Sequence, residues 1–224
     1  MDELDVYIDE LVQTEAPIIR DIANGTVDLR DLPFIARRHY AEVRTFIDVK
    51  LPSRLRICPF EDYRAKAYFS ALYVEEQGEF QPGRNHAHLF ATFCQAIGLT
   101  EQELVAEFEG YWPNYSYLLM APPSESLVLN ELAISYSWES MIRRIAEPLQ
   151  QVLAKIAGER SISDNDLEYF PGHIELDEEH EQMAREALAN YATTDERRAF
   201  IIEATRRTLV EANPWVLPLH PILS

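Results

Sequence analysis

Apolar residues recur with helical spacing along almost every segment of this 224-residue chain, and strand-like alternation is absent. A chain patterned this way buries its apolar stripes only by packing helix against helix, so the expected fold is all-α. The first stretch, Asp2–Glu15, sets Leu4, Ile8 and Leu11 on one face. A long segment over Leu32–Ile57 offers Phe34, Ile35, Val43, Phe46 and Ile47 to a core, and Pro52 should kink or divide it. Phe60–Gln77 carries Ala65, Phe69, Leu72 and Tyr73 and stops at Gly78. His86–Ile97 closes at Gly98, and Thr100 with Glu103 forms the capping box of the next helix. Ser124–Ala157 is long, with a kink expected at Pro148; Asp164–Pro171 is turn-like, and His173–Tyr191 and Thr194–Glu211 complete the set. The tail over Asn213–Pro221 is too rich in proline for a helix. No repeat or linker divides the chain, so residues 1–224 are expected to form one bundle of seven or eight helices.

Charge narrows the partners. Lys and Arg number 20 against 38 Asp and Glu, a formal charge of −18. Phosphate-binding surfaces need clustered cations, so nucleic acid and anionic membrane are not expected partners. Phosphate-loop and dinucleotide fingerprints are absent, and Cys58 and Cys94 are too few for a disulfide scaffold or a cysteine-rich zinc site. The acidic N-terminus lacks the basic and apolar stretches of a secretory signal, and no run approaches a membrane span. The expected location is the cytoplasm.

The chemistry concentrates in Pro171-Gly-His-Ile-Glu-Leu-Asp-Glu-Glu-His180. At about 100° per residue, His173, Asp177 and His180 fall at roughly 0°, 40° and −20°, on one face of one helix. Two imidazoles and a carboxylate form an N,N,O donor set for a divalent metal, although a solvated acidic face fits the surrounding glutamates equally well. An EF-hand is excluded because Asp164-Asn-Asp-Leu-Glu-Tyr has no glycine at the sixth position, and a zincin because His-Glu-x-x-His is missing. A second cluster runs from Glu75 to His86. Glu76 continues the stripe of Phe69 and Tyr73 and so faces inward at a helix end; Glu139 lies in the aromatic, apolar setting Tyr136-Ser-Trp-Glu-Ser-Met-Ile142.

Taken in order, Glu76, His86, Glu139 and His173-x-x-x-Asp177-x-x-His180 resemble the pattern of the haem-oxygenase-like di-iron oxidases over roughly residues 60 to 190. The resemblance implies a haem-oxygenase-like helical bundle and a metal site made of Glu76, His86, Glu139, His173, Asp177 and His180. It leaves Glu79 as the alternative first ligand and Glu42 or Asp48 as an additional one. It also implies two Fe(II) ions, with manganese able to replace part of the iron, and O2 as co-substrate. Members of the family act on small carboxylates or amino acids by C–C cleavage, nitrile or alkene formation, or N-oxygenation, in biosynthetic pathways. Folds of this class often dimerise, so a homodimer is within its scope.

Tyr73, Phe80, Tyr111, Trp112, Tyr136, Trp138 and Phe170 could line a pocket for a large apolar or aromatic amino acid, and Arg84, Arg143 and Arg144 could bind its carboxylate. Two further readings stand beside this one. A thiaminase-II-like hydrolase of the same fold would need a nucleophilic cysteine, and neither Cys58 before a proline nor Cys94 in an apolar helix suits that role. A non-catalytic acidic scaffold would bind a basic protein.

Overall fold

A computed structural model describes residues 1–14, 21–22, 24–26, 28–111 and 119–211; of residues 13, 14, 172–178 and 211 it describes the backbone alone. Among these residues there are helices and no strands. In chain order they are α1 (Asp2–Thr14), α2 (Leu32–Thr45), α3 (Leu51–Ile57), α4 (Tyr63–Glu76), α5 (His86–Ala96), α6 (Glu101–Tyr111), α7 (Glu125–Arg160), α8 (Tyr169–Ala189) and α9 (Asp195–Arg206).

The expected segment from Leu32 to Ile57 is divided, by a π turn over Phe46–Lys50 that keeps α2 and α3 in helical register. The Leu51 N–H reaches back five residues to the Phe46 carbonyl. Pro52, in the first turn of α3, has no N–H and would crowd the carbonyl four residues back in a regular helix. Widening the preceding turn accommodates it, and such π turns recur at functional sites. Elsewhere caps decide the boundaries. The Asp62 carboxylate accepts from the Ala65 N–H at 3.0 Å, so α4 starts at Tyr63, later than the periodicity suggested. Asn85 caps α5, and the Thr100–Glu103 box forms as expected, with the Thr100 N–H donating to Glu103 at 2.8 Å. α7 runs unbroken through Pro148. α8 begins at Tyr169 rather than His173, because Pro171 falls in its first turn, where a missing N–H costs nothing.

Two apolar clusters hold the helices together. In the first, Leu4, Ile8 and Leu11 of α1 meet Phe69 and Leu72 of α4, Val128, Leu132 and Tyr136 of α7, Leu188 of α8 and Ile201 of α9. In the second, Ala36 and Val43 of α2 meet Phe90 and Phe93 of α5, Val152 and Ile156 of α7, and Phe170 of α8. Phe46 and Leu149 pack against both. Phe34, expected in the core, is exposed instead: the turn Asp28–Asp31 sets the start of α2 so that Ile35 and Ala36 carry the buried face. No helix among the described residues is long and apolar enough to cross a membrane.

Candidate functional site

Between the two clusters lies an open cavity, walled by α2, the π turn, α3, α4, α7 and α8. Its charged lining separates by element. Glu75 and Glu76 end α4, Glu139 comes from mid-α7 and His180 from α8, while His39, Glu42, Lys50 and Arg54 come from the α2–α3 wall.

Imidazoles and carboxylates face each other here. His86 Nδ1 lies 3.0 Å from Glu76 Oε2, and both side chains are buried. His180 Nε2 pairs with Glu75, and its Nδ1 lies 3.9 Å from Glu139 Oε2. Burial disfavours the His180 imidazolium, but the Glu75 hydrogen bond and the charges of Glu139, Glu75 and Glu76 outweigh it and raise the pKa above the ordinary histidine value. The Tyr68 hydroxyl donates to Glu139 Oε1 at 3.4 Å; burial, with the Glu139 charge beside it, keeps that phenol protonated.

The link between Glu76 and His86 depends on a tight turn. Gly78 has φ +61°, and a Cβ there would lie 2.2 Å from the Arg84 carbonyl oxygen. Glu79 and Phe80 follow at φ 51° and 59°, a left-handed pair rare outside glycine. Gly78→Ala is therefore expected to destabilise the protein by more than about 1 kcal/mol and to loosen the His86–Glu76 contact. A thermal melt measures this, and an unchanged midpoint would contradict it.

Several expected site residues come together and others do not. Glu76, Glu139 and His180 line the cavity, and His86 meets it through Glu76. Glu79 is exposed and accepts from the Gln81 amide, so of the two first-ligand candidates only Glu76 faces the cavity. Of the proposed additional acids, Asp48 is exposed and pairs with Arg44 at 3.4 Å, whereas Glu42 lines the cavity. Burial opposes the Glu42 charge, but Lys50, the Tyr111 hydroxyl and His39 outweigh that effect and hold its carboxyl below the ordinary range. His173 and Asp177 lie on α8, with their side chains outside the described residues. Among the described residues, no three His, Cys, Asp or Glu side chains by themselves converge on a metal position.

The expected carboxylate-binding arginines are elsewhere. Arg84 pairs with Glu168 in solvent, Arg143 with Glu181 and Arg144 with Asp9, and none lines the cavity. In each case an acid from another segment takes the guanidinium. Of the aromatic candidates, Trp138 lines this cavity and Phe170 a second, apolar one beside it. Phe80 is exposed, Tyr136 is buried and donates to Asp5, Tyr111 is bound to Glu42, and Trp112 lies outside the described residues.

Glu75, Lys50 and Arg54 were not anticipated. Arg54 carried a signal, since it falls on the apolar stripe seven after Ile47, three after Leu51 and three before Ile57. Both thiols are inert: Cys58 is buried and donates to the Arg54 carbonyl, its pKa pushed up to about 12 by burial, and Cys94 is raised further for the same reason.

A family model described as iron-containing redox enzyme matches residues 35–212, most of the chain and every wall of this cavity. The chain belongs to that family. Its all-α architecture is the haem-oxygenase-like fold of this family, and its chemistry is that of an iron-containing redox enzyme. No curated protein matches the chain.

Proposed function

We propose that the protein is a non-haem di-iron oxidase or oxygenase that uses O2 on a small amino acid or carboxylate. The observation carrying this reading is that imidazole and carboxylate groups from α4, α5, α7 and α8 meet at one cavity in acid–base pairs, and neither thiol lines it. Each pair sets an imidazole nitrogen against a carboxylate oxygen, the two donor types a divalent iron or manganese site would use. The donor set is nitrogen and oxygen only, which suits iron or manganese and not a closed structural zinc site.

The charges also fit. Glu75, Glu76 and Glu139 contribute −3 and Asp177, on the sequence pattern, a fourth negative charge, against +4 for two ferrous ions. In this reading Glu76, His86, Glu139, His173, Asp177 and His180 hold the metals, with Glu75 as an additional donor beside His180. Bound iron supplies the electron-transfer chemistry that activates O2. The protein's part is positioning and shielding. Tyr68 fixes the orientation of Glu139, while Val43, Phe46, Trp138 and Ile142 form an apolar wall that limits water beside the carboxylates. An apolar or aromatic side chain of the substrate fits that wall.

Oxygen uptake by iron-loaded protein tests the proposal directly. A panel of amino acids and carboxylates is expected to contain members that accelerate uptake, and removal of iron by a chelator is expected to abolish it. Uptake indifferent to both iron and substrate would refute the reading.

A further inference from the structure

Arg54 is the most deeply buried cation in the cavity wall, only 1% exposed, and its surroundings fix it rigidly. The guanidinium lies over two rings, 5.0 Å from the centroid of Phe46 and 5.6 Å from that of Phe69. Its Nε donates to Glu131 Oε2 at 2.9 Å, and its Nη1 donates to Ser135 Oγ at 2.9 Å. Glu131 thus takes one corner of the fork. Neither bond uses the third nitrogen, Nη2, and the side chain borders the cavity. A planar oxyanion in the cavity would meet charged N–H donors there. A pair serving only to neutralise Glu131 would instead present the full fork to that carboxylate.

The position matters as much as the donors. Ser135, which anchors Nη1, lies one turn before Glu139 on α7, about 6 Å along the axis. Lys50, one turn before Arg54 on the same wall, adds a second positive group, shared with Glu42. Glu75, Glu76 and His180 line the same cavity. A molecule held by its oxyanion at Arg54 would extend its body past Phe46 and Trp138 toward the Glu139–His180 contact.

We propose that Arg54 is the anchor for the substrate's carboxylate, with Lys50 as its electrostatic support, so that this cavity selects monoanionic carboxylates bearing an apolar body. The proposal rests on the cavity being the substrate site of the function proposed above. It makes Arg54 a positioning residue, separate from the donors assigned to metal.

Binding to metal-free protein tests it without iron competing for the carboxylate. Titration calorimetry with 3-phenylpropanoate is compared with 3-phenylpropan-1-ol, which has the same body and no charge. The acid is expected to bind saturably below about 10 mM and about tenfold or more tighter than the alcohol. Arg54→Gln combined with Glu131→Gln removes both buried charges together, which keeps the fold balanced, and is expected to abolish the preference for the acid. If that variant does not fold, the guanidinium NMR signals of Arg54 in the unaltered protein take its place: they should shift with the acid and not with the alcohol. No saturable binding of the acid, equal binding of acid and alcohol, a preference that survives in the folded double variant, or silent Arg54 signals would each overturn the proposal. Iron stoichiometry, measured separately, is independent of all four outcomes. Normal iron loading with no preference for the acid defeats this inference alone, and failed iron loading defeats the metal reading alone.

Discussion

His180→Ala is expected to cut bound iron from about two equivalents per chain to one or fewer and to abolish oxygen uptake, while helical content stays the same. His180 meets Glu75 through one ring nitrogen and faces Glu139 through the other, so its loss disconnects the donors of α4 from those of α7. The fold should tolerate the change. His180 is attached to the cavity rather than to either apolar cluster, and an alanine there leaves Glu75 and Glu139 with access to the open cavity. Metal analysis of the purified variant, with circular dichroism as a control for folding, reads both parts. Full iron content in the variant would contradict the assignment of His180.

The largest expected effect on stability comes from Glu131→Ala. It strands the Arg54 guanidinium, 1% exposed, without the carboxylate that compensates its charge. Breaking a buried pair from one side costs about 3–5 kcal/mol. In a chain of this size that lowers the melting midpoint by on the order of 10 °C. Glu131→Gln, which keeps an oxygen acceptor for Nε, should cost markedly less. Thermal denaturation of the two variants side by side checks the order, and a loss below about 1 kcal/mol for the alanine variant would show that the cavity solvates Arg54 unaided.

Much of this was legible in the sequence because it is local. The Thr100–Glu103 box, the Gly78 stop and the inward stripe of α4 are set by residues within one or two turns of each other, and they form as the spacing dictates. Glu76 was separable from Glu79 on the same ground: one continues the stripe of Phe69 and Tyr73, while the other falls in the turn beyond it. What escaped depends on contacts between distant segments. Glu75 lies about 100° around α4 from Glu76, and only the approach of α8 brings it to His180. Arg54 and Glu131 are 77 residues apart, and neither announces its partner. Arg84, Arg143 and Arg144 are equal in sequence terms as binders of an anion, yet tertiary packing gives each an acid away from the cavity. The π turn before Pro52 is intermediate: a disruption was foreseeable from the proline, but not that the chain would answer it by widening one turn.

Anaerobic titration of metal-free protein with Fe(II), followed by counting bound iron after gel filtration, tests the central claim most directly. The account predicts about two ferrous ions per chain, falling to one or fewer when His180 or Glu139 is replaced by alanine. Retention of less than about half an equivalent, or iron that stays bound in both variants, would contradict it.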